Sequence, residues 1–312
     1  WRVGIEAHAM RLVFLGTPAF AVPTLEAIAR AGHEIALVVT QPDRPRGRSQ
    51  TPAAPPVKEA ALRVGLEVYQ PERVRRPEAV ERLRAIGAEA MVVVGYGQII
   101  PQNVIDLAPL GIINVHGSLL PKYRGAGPIQ WAIVNGETRT GVTTMRIDAG
   151  LDTGDMLLKA ETDIAPDENA IELGKRLAVM GADLLVETLA RLTTIVPEKQ
   201  DPSQATYAPL LKKEHGVIDW SRAAAGLHNQ VRGLQPWPGA YTTFRGQTLH
   251  LWKTRVAPAD AQPCLRPWIV DTGAGALELL EVQLEGRKRM SAADFANGQR
   301  LTENDRLGEP SH

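Results

Sequence analysis

The stretch Ile112-Ile113-Asn114-Val115-His116-Gly117-Ser118-Leu119-Leu120-Pro121-Lys122-Tyr123-Arg124-Gly125-Ala126-Gly127-Pro128 begins as a buried strand and ends as a polar, glycine-rich loop. Ile112, Ile113 and Val115 are the β-branched residues of a strand. Asn114 and His116 lie two apart, so on a strand they share a face. The amide donates a hydrogen bond in any state, and the imidazole takes or gives a proton near neutral pH. Gly125, Gly127 and Pro128 then turn the chain into a new helix. A core strand with two internally satisfied polar residues is the plainer alternative. The paired face and the loop that follows it favour a site.

Around this stretch the chain has 312 residues, enough for two domains of ordinary size. It is 44% hydrophobic and 22% charged, an ordinary globular composition. The formal net charge of +0 gives no global sign of a nucleic-acid partner, although local patches matter more than the sum. Cys264 is the only cysteine, which rules out an intrachain disulfide and a thiolate zinc cluster. No apolar run is long enough to span a membrane. Trp1 to Ala9 carries charges and no apolar centre, unlike a signal peptide. Met10, followed by a strand, reads as the natural start, with residues 1–9 an upstream remnant. A cytoplasmic enzyme is the expectation.

Residues 11–15 read as a strand, 19–31 as a helix capped by Gly32, and 34–40 as a second strand. This βαβ opening predicts a parallel sheet with right-handed crossovers. The first turn, Gly16-Thr17-Pro18, lacks the dinucleotide fingerprint G-x-G-x-x-G, and no Walker-type phosphate loop occurs. Gln41 to Pro56 is a long loop with Arg44, Arg46 and Arg48 at alternating positions, suited to phosphate recognition. Helices are expected over 57–64, 78–86, 101–107 and 170–192, and strands over 66–69, 90–94, 141–147 and 156–164. Gly95-Tyr96-Gly97 follows one of those strands at its carboxyl end, where open α/β sheets place ligands. Asp148 to Asp155 is an acidic, glycine-rich loop. It either bonds only its own backbone or brings a carboxylate, Asp152, beside His116.

Residues 195–209 carry three prolines among polar residues and read as a linker. Beyond them, short alternating runs over 217–220, 240–244, 248–256, 268–271 and 276–283 predict a small β-barrel, with one helix over 227–231. The tail from Leu301 is polar and expected to fray. The organisation is thus 10–194 catalytic domain, 195–209 linker and 210–312 second domain.

Taken together, these motifs resemble the methionyl-tRNA formyltransferase family. The resemblance runs from Met10 to about Gly298. It rests on Phe14-Leu-Gly-Thr-Pro18, Thr40-Gln-Pro-Asp-Arg-Pro45 with Gly47-Arg48, Asn114-Val-His-Gly-Ser-Leu-Leu-Pro121 with Arg124-Gly125, and Gly150-Leu-Asp-Thr-Gly-Asp-Met156. In the second domain it rests on Ile218-Asp-Trp220 and Pro236-Trp-Pro-Gly239. The loop departs from the family by continuing Ser49-Gln50-Thr51 where lysines are usual. The chain is also shorter than the family pattern between Pro258 and Trp268.

The resemblance implies a Rossmann-like parallel-sheet domain followed by a small barrel like an oligonucleotide-binding fold. It implies transfer of a formyl group from 10-formyltetrahydrofolate, a co-substrate, to the α-amine of methionyl initiator tRNA, with no metal. Asn114 and protonated His116 match the oxyanion donors, and Asp152 the group that holds His116 charged and relays the proton. Ser118, Leu119, Leu120 and Pro121 match the folate-contacting segment, and Gly95, Tyr96, Gly97, Gln98 and Ile99 are expected to line the same pocket. A cis peptide at Leu120-Pro121 would suit the sharp bend there. Arg44, Arg46 and Arg48 match the loop that enters the acceptor stem. Lys212, Lys213, Arg287, Lys288 and Arg289 are the expected tRNA-facing cations of the second domain. A monomer acting on tRNA and folate, away from membranes, is the resulting picture. Formylation of an amino-sugar nucleotide, or RNA binding without catalysis, are the alternatives.

Overall fold

The computed structural model describes residues 9–45, 52–260, 264–265, 268–302 and 304–308. The expected upstream remnant, apart from Ala9, lies outside the described residues, as do Arg46 and Arg48.

The chain divides into two compact units. The first comprises residues up to 125, 141–162 and 174–207; the second comprises 126–140, 163–173 and 208 onward. The stretch read as a linker therefore belongs to the first unit through residue 207.

In the first unit the strands are β1 (Arg11–Gly16), β2 (Glu34–Val39), β3 (Arg44–Pro45), β4 (Pro52–Ala53), β5 (Val68–Tyr69), β6 (Ala90–Val94), β7 (Ile112–His116), β8 (Arg124–Gly125), β9 (Arg139–Arg146), β10 (Met156–Asp163) and β11 (Tyr207–Ala208). Seven of them form the central sheet in the order β10-β9-β7-β6-β1-β2-β5. Strand β1 pairs in parallel with β2 on one side and β6 on the other, so the order reverses at β1. The expected parallel pairing holds from β7 through β6, β1 and β2 to β5, while β9 pairs with β7 antiparallel, His116 opposite Thr143. Alternation of buried residues marks a strand but reads the same in both directions, so it carries no sense of pairing.

Alternation also explains the two cores. Leu12 and Phe14 of β1 enter one, with Val92, Val94, Ile113 and Val115; Val13 and Leu15 enter the other, with Met91 and Val93. Each such residue, fully buried, stabilises the fold by about 1.5–3 kcal/mol relative to exposure. The helices covering them are α1 (Val22–Arg30), α2 (Pro56–Arg63), α3 (Pro77–Ile86), α4 (Gln102–Ile105) and the long α6 (Ala170–Ala190). Pro56 and Pro77 open α2 and α3, where the missing N–H is no loss. Asn169 caps α6: its side-chain oxygen accepts from the Ile171 and Glu172 N–H groups, and Glu172 accepts from the Asn169 N–H.

The second unit contains α5 (Pro128–Val134), α7 (Ala224–Gly233) and α8 (Ala292–Gln299), and the strands β12 (Ala240–Phe244), β13 (Gln247–Val256), β14 (Cys264–Leu265), β15 (Trp268–Asp271), β16 (Ala276–Leu284) and β17 (Met290–Ser291). These form an antiparallel sheet in the order β12-β13-β16-β15-β14, with β17 beside β16. The expected strand over 217–220 reduces to one bridge, Val217 to Tyr241. In the shortened region, β14 still pairs with β15. Helices α5 and α7 pack closely because position 233 is glycine: a Cβ there would lie 2.7 Å from Val134 Cγ2. Phe244, Trp268 and Phe295 fill the core with edge and stacked ring contacts. Helix α8 gave no strong apolar period, because its buried positions are Ala292, Phe295 and Ala296.

The tail is pinned, contrary to expectation. Leu307 bridges to Phe244, and the Gly308 N–H donates to the Thr243 carbonyl. Arg245 grips Asp305 with two donors, Nε at 2.6 Å and Nη2 at 2.8 Å. The hydrogen bond from Arg245 holds the Asp305 carboxyl down at about 2, below its ordinary 3.8. A carboxyl whose pKa is lowered by folding adds stability above its unfolded pKa and loses it as pH falls through the folded one. Asp305→Asn should therefore lower the thermal midpoint at pH 7 by about a few degrees. The gap from wild type should close as pH falls from about 4 toward about 2. Thermal melts across that range check it. A gap that persists at low pH would assign the tail's stability to packing instead.

Candidate active site

The site is built on the carboxyl end of β7. Ile113 and Val115 face one core, so Asn114 and His116 face the opposite side of the sheet. Both are nearly buried, 8% and 6% exposed. His116 Nε2 lies 2.8 Å from the Tyr123 carbonyl oxygen. A carbonyl only accepts, so Nε2 carries a hydrogen and Nδ1 points the other way. Nδ1 sits 3.7 Å from Asp152 Oδ2, and that same oxygen accepts the Gly125 N–H at 2.8 Å. Among the described residues, no hydrogen bond occupies the Asn114 carboxamide. The sequence expectation that brings Asn114, His116 and Asp152 to one place accords with this geometry.

Two residues that hold the site adopt left-handed backbone: Tyr123 with φ 61° and Asp152 with φ 51°. Non-glycine residues rarely do so, and each such residue costs about 1–3 kcal/mol unless its surroundings enforce it. The enforcement is visible. The Tyr123 N–H donates to Thr206 Oγ1 at 2.8 Å, and the Asp152 carbonyl accepts from Gln200 Nε2 at 2.8 Å. Two residues on, Gly154 lies against the Arg146 carbonyl, where an added Cβ would be 1.9 Å away. Asp148 spends its carboxylate on its own loop, accepting from the Gly150 N–H and the Thr153 hydroxyl.

The expected folate segment is bonded within the fold at several of its polar groups. Thr143 Oγ1 donates to the Ser118 carbonyl and accepts the Leu120 N–H. The Ser118 hydroxyl donates to the Lys122 carbonyl. Leu120 packs with Met145 and Met156. These groups are used within the fold, which leaves Leu119 and Pro121, both half-buried, as the segment's accessible part. The Leu120-Pro121 peptide is cis, as its bend suggested; Gln235-Pro236 and Trp237-Pro238, also cis, carried no such signal.

After β6, Gly95 and Gly97 are exposed and left-handed, with φ 57° and 85°. Between them Tyr96 is turned inward, its hydroxyl buried and its phenol pushed well above the usual range by burial. Its ring belongs to the core rather than to a ligand surface. Its carbonyl accepts from Thr17 Oγ1 at 2.9 Å and Gln41 Nε2 at 3.1 Å. Gln98 accepts the Val74 N–H, and Ile99 stands 90% exposed.

Arg44 is exposed on β3, which pairs with β4 at the root of the basic loop. Lys212, Lys213, Arg287 and Lys288 are exposed in the second unit. Arg289 bonds Glu281 and lies over the Trp252 ring at 5.1 Å, so its charge is partly spent. Sequence reasoning missed Tyr123, Thr143, Gln200 and Thr206. All four act through backbone groups or sit in a stretch of linker composition.

Comparison with known proteins places the whole chain. Residues 10–189 match the formyl transferase family and 210–300 its C-terminal domain. A methionyl-tRNA formyltransferase of Solibacter usitatus is 77% identical over 96% of this chain and 99% of its own. This chain belongs to the methionyl-tRNA formyltransferase family. A relative of the same description from Koribacter versatilis is 56% identical over 97% of this chain and 100% of its own. The solved structure of WlaRD, a sugar 3N-formyl transferase in the presence of dTDP and 5-N-formyl-THF, has a TM-score of 0.66. It covers 90% of this chain and 100% of its own at 19% identity, which supports the two-part α/β fold alone. Among the described residues no helix is long and apolar enough to cross a membrane.

Proposed function

We propose that the protein transfers the formyl group of 10-formyltetrahydrofolate to the α-amine of methionyl initiator tRNA, in the cytoplasm, at the start of translation. The observation that carries this reading is the His116–Asp152 pair at the carboxyl edge of the sheet, beside an Asn114 carboxamide that is unpartnered among the described residues. The residues at hand fit a folate co-substrate: exposed backbone at Gly95 and Gly97 and half-buried Leu119 and Pro121 sit in the same unit as that amide donor. The co-substrate supplies an activated formyl carbon and a nitrogen that leaves.

Asn114 Nδ2 donates to the formyl oxygen as it gains negative charge, which lowers the barrier. His116 takes a different role from the expected one of second oxyanion donor. Its Nε2 hydrogen already goes to the Tyr123 carbonyl. That leaves the Nδ1 edge of His116 and Asp152 Oδ2, 3.7 Å apart, to handle the amine's proton. They take the proton the amine must lose and return it to the leaving nitrogen. The basic loop and the exposed cations of the second unit bind tRNA phosphates, which positions the aminoacyl end. The amino-sugar alternative is not favoured, since the highly identical relatives are methionyl-tRNA formyltransferases and the sugar enzymes share only the fold.

The test is an assay of the purified protein with 10-formyltetrahydrofolate and three acceptors: methionyl initiator tRNA, elongator methionyl-tRNA and an amino-sugar nucleotide. Formyl-methionine on the initiator tRNA is the expected product. Formylation of the sugar nucleotide in preference to tRNA would overturn the reading.

A further inference from the structure

Residues 198–206 carry no catalytic motif and have the composition of a linker, yet they brace both sides of the His116–Asp152 pair. Glu198 fixes the register of this segment by exchanging backbone hydrogen bonds with Met156, 2.8 Å each way. Two residues on, Gln200 is buried and fully bonded. Its Oε1 accepts from Arg124 Nε at 3.0 Å and Nη2 at 2.8 Å. Its Nε2 donates to the carbonyls of Asp152 and Gly154, both at 2.8 Å. The amide's orientation is unambiguous, because a guanidinium only donates and a carbonyl only accepts. Arg124 is itself buried, so its charge-assisted bonds hold the amide with little freedom.

This arrangement bears on Asp152 through its backbone. Asp152 has φ 51°, a conformation its surroundings must enforce, and its Oδ2 accepts the Gly125 N–H at 2.8 Å and lies 3.7 Å from His116 Nδ1. Gln200 grips the carbonyl of the same residue and that of Gly154, on either side of the bend. On the other flank, Thr206 Oγ1 accepts the N–H of Tyr123, whose carbonyl accepts His116 Nε2–H. We propose that Gln200, oriented by Arg124, is a positioning residue that sets the Asp152 carboxylate against His116. The inference rests on the reading of Asp152 as a proton-handling group.

Gln200→Glu separates positioning from folding. A glutamate keeps an oxygen toward Arg124, as an ion pair, and loses both N–H donors to the carbonyls. The variant should unfold within about a few degrees of wild type, with KM for folate and for tRNA within about twofold. Its kcat should fall by roughly tenfold to a hundredfold, the cost of a reacting group displaced by about an ångström. The pair Arg124→Met with Gln200→Leu removes the same donors without stranding a charge, and should show the same loss if the glutamate variant folds poorly. In an Asp152→Ala background either change should cost little more, because groups that act as a unit are not additive. Wild-type kcat in both variants would overturn the inference. So would an equal loss in the Asp152→Ala background, or a fall in kcat matched by a fall in folding and a rise in KM. Wild-type turnover by Asp152→Ala itself would instead remove the reading of Asp152, and the inference with it.

Discussion

Asn114→Ala is expected to lower kcat by about a hundredfold to a thousandfold, the usual cost of one lost oxyanion donor. The expectation follows from what Asn114 does not do. It sits on a strand whose neighbours are all buried, yet among the described residues its carboxamide spends no hydrogen bond on the protein. Its polar atoms are not among the fully buried ones left without a partner, so the amide stays open to a substrate. The fold does not need the amide, so the thermal midpoint should hold or rise slightly. Binding of folate should change little, because a donor aimed at developing charge acts mainly in the transition state. Asn114→Asp makes the comparison sharper: it keeps the shape, removes the donor and adds a negative charge where negative charge must develop. It should be at least as slow as the alanine variant. Single-turnover rates with saturating substrates, alongside folate affinity by titration, check both. An alanine variant with near wild-type turnover would move the oxyanion contact to the backbone.

The residues proposed to carry this chemistry were legible in the sequence and their supports were not, for a physical reason. Asn114 and His116 were readable because a strand has period two and polar residues on a β-branched strand stand out. Asp152 was readable as a candidate only within an acidic loop. Its bond to Gly125, across 27 positions, has no local signature. Gln200 and Thr206 lie in a proline-rich polar stretch whose composition matches a linker, and only long-range pairing, Glu198 with Met156, turns it into part of the first unit. The sense of β9 was illegible for a related reason: buried throughout from Thr140 to Met145, it reads the same whichever way it runs. Ser118 and Leu120 were named as folate contacts by resemblance to the family's motif, and their bonds within the fold had no sequence signal. The hydroxyl of Thr143, from the neighbouring strand, bonds the Ser118 carbonyl and the Leu120 N–H. The tail was misread because Asp305 and Leu307 look solvated until Arg245 and Phe244 are placed beside them.

Replacing Arg44, Arg46 and Arg48 together by alanine is expected to reduce kcat/KM for tRNA by at least about a hundredfold, since each charge-assisted hydrogen bond contributes about 1.5–3 kcal/mol. The loop that carries them springs from a fixed root. Arg44 pairs with Ala53 and Pro45 with Pro52. Just before them, the Asp43 carboxylate accepts from Lys58 Nζ at 2.7 Å and from Gln70 Nε2 at 2.7 Å, and these bonds lower its pKa. Gln70 also holds the Gln41 carbonyl. Arg44, on that root, presents its charge from a defined place, so loss of the set should lower kcat as well as raise KM, because a misplaced aminoacyl end reacts slowly. The exposed cations of the second unit, Lys212, Lys213, Arg287 and Lys288, should behave differently when neutralised. They should raise KM and leave kcat alone. Both sets should flatten the salt dependence of tRNA binding by roughly 0.7–0.9 for each phosphate left without its cation. Folate affinity should be unchanged in both, which separates an RNA-binding role from damage to the pocket. Steady-state kinetics at two salt concentrations with initiator tRNA decide the matter. If the loop variant keeps its tRNA kinetics and salt slope while the second-unit variant loses both, the acceptor-stem role passes from the loop to the second unit.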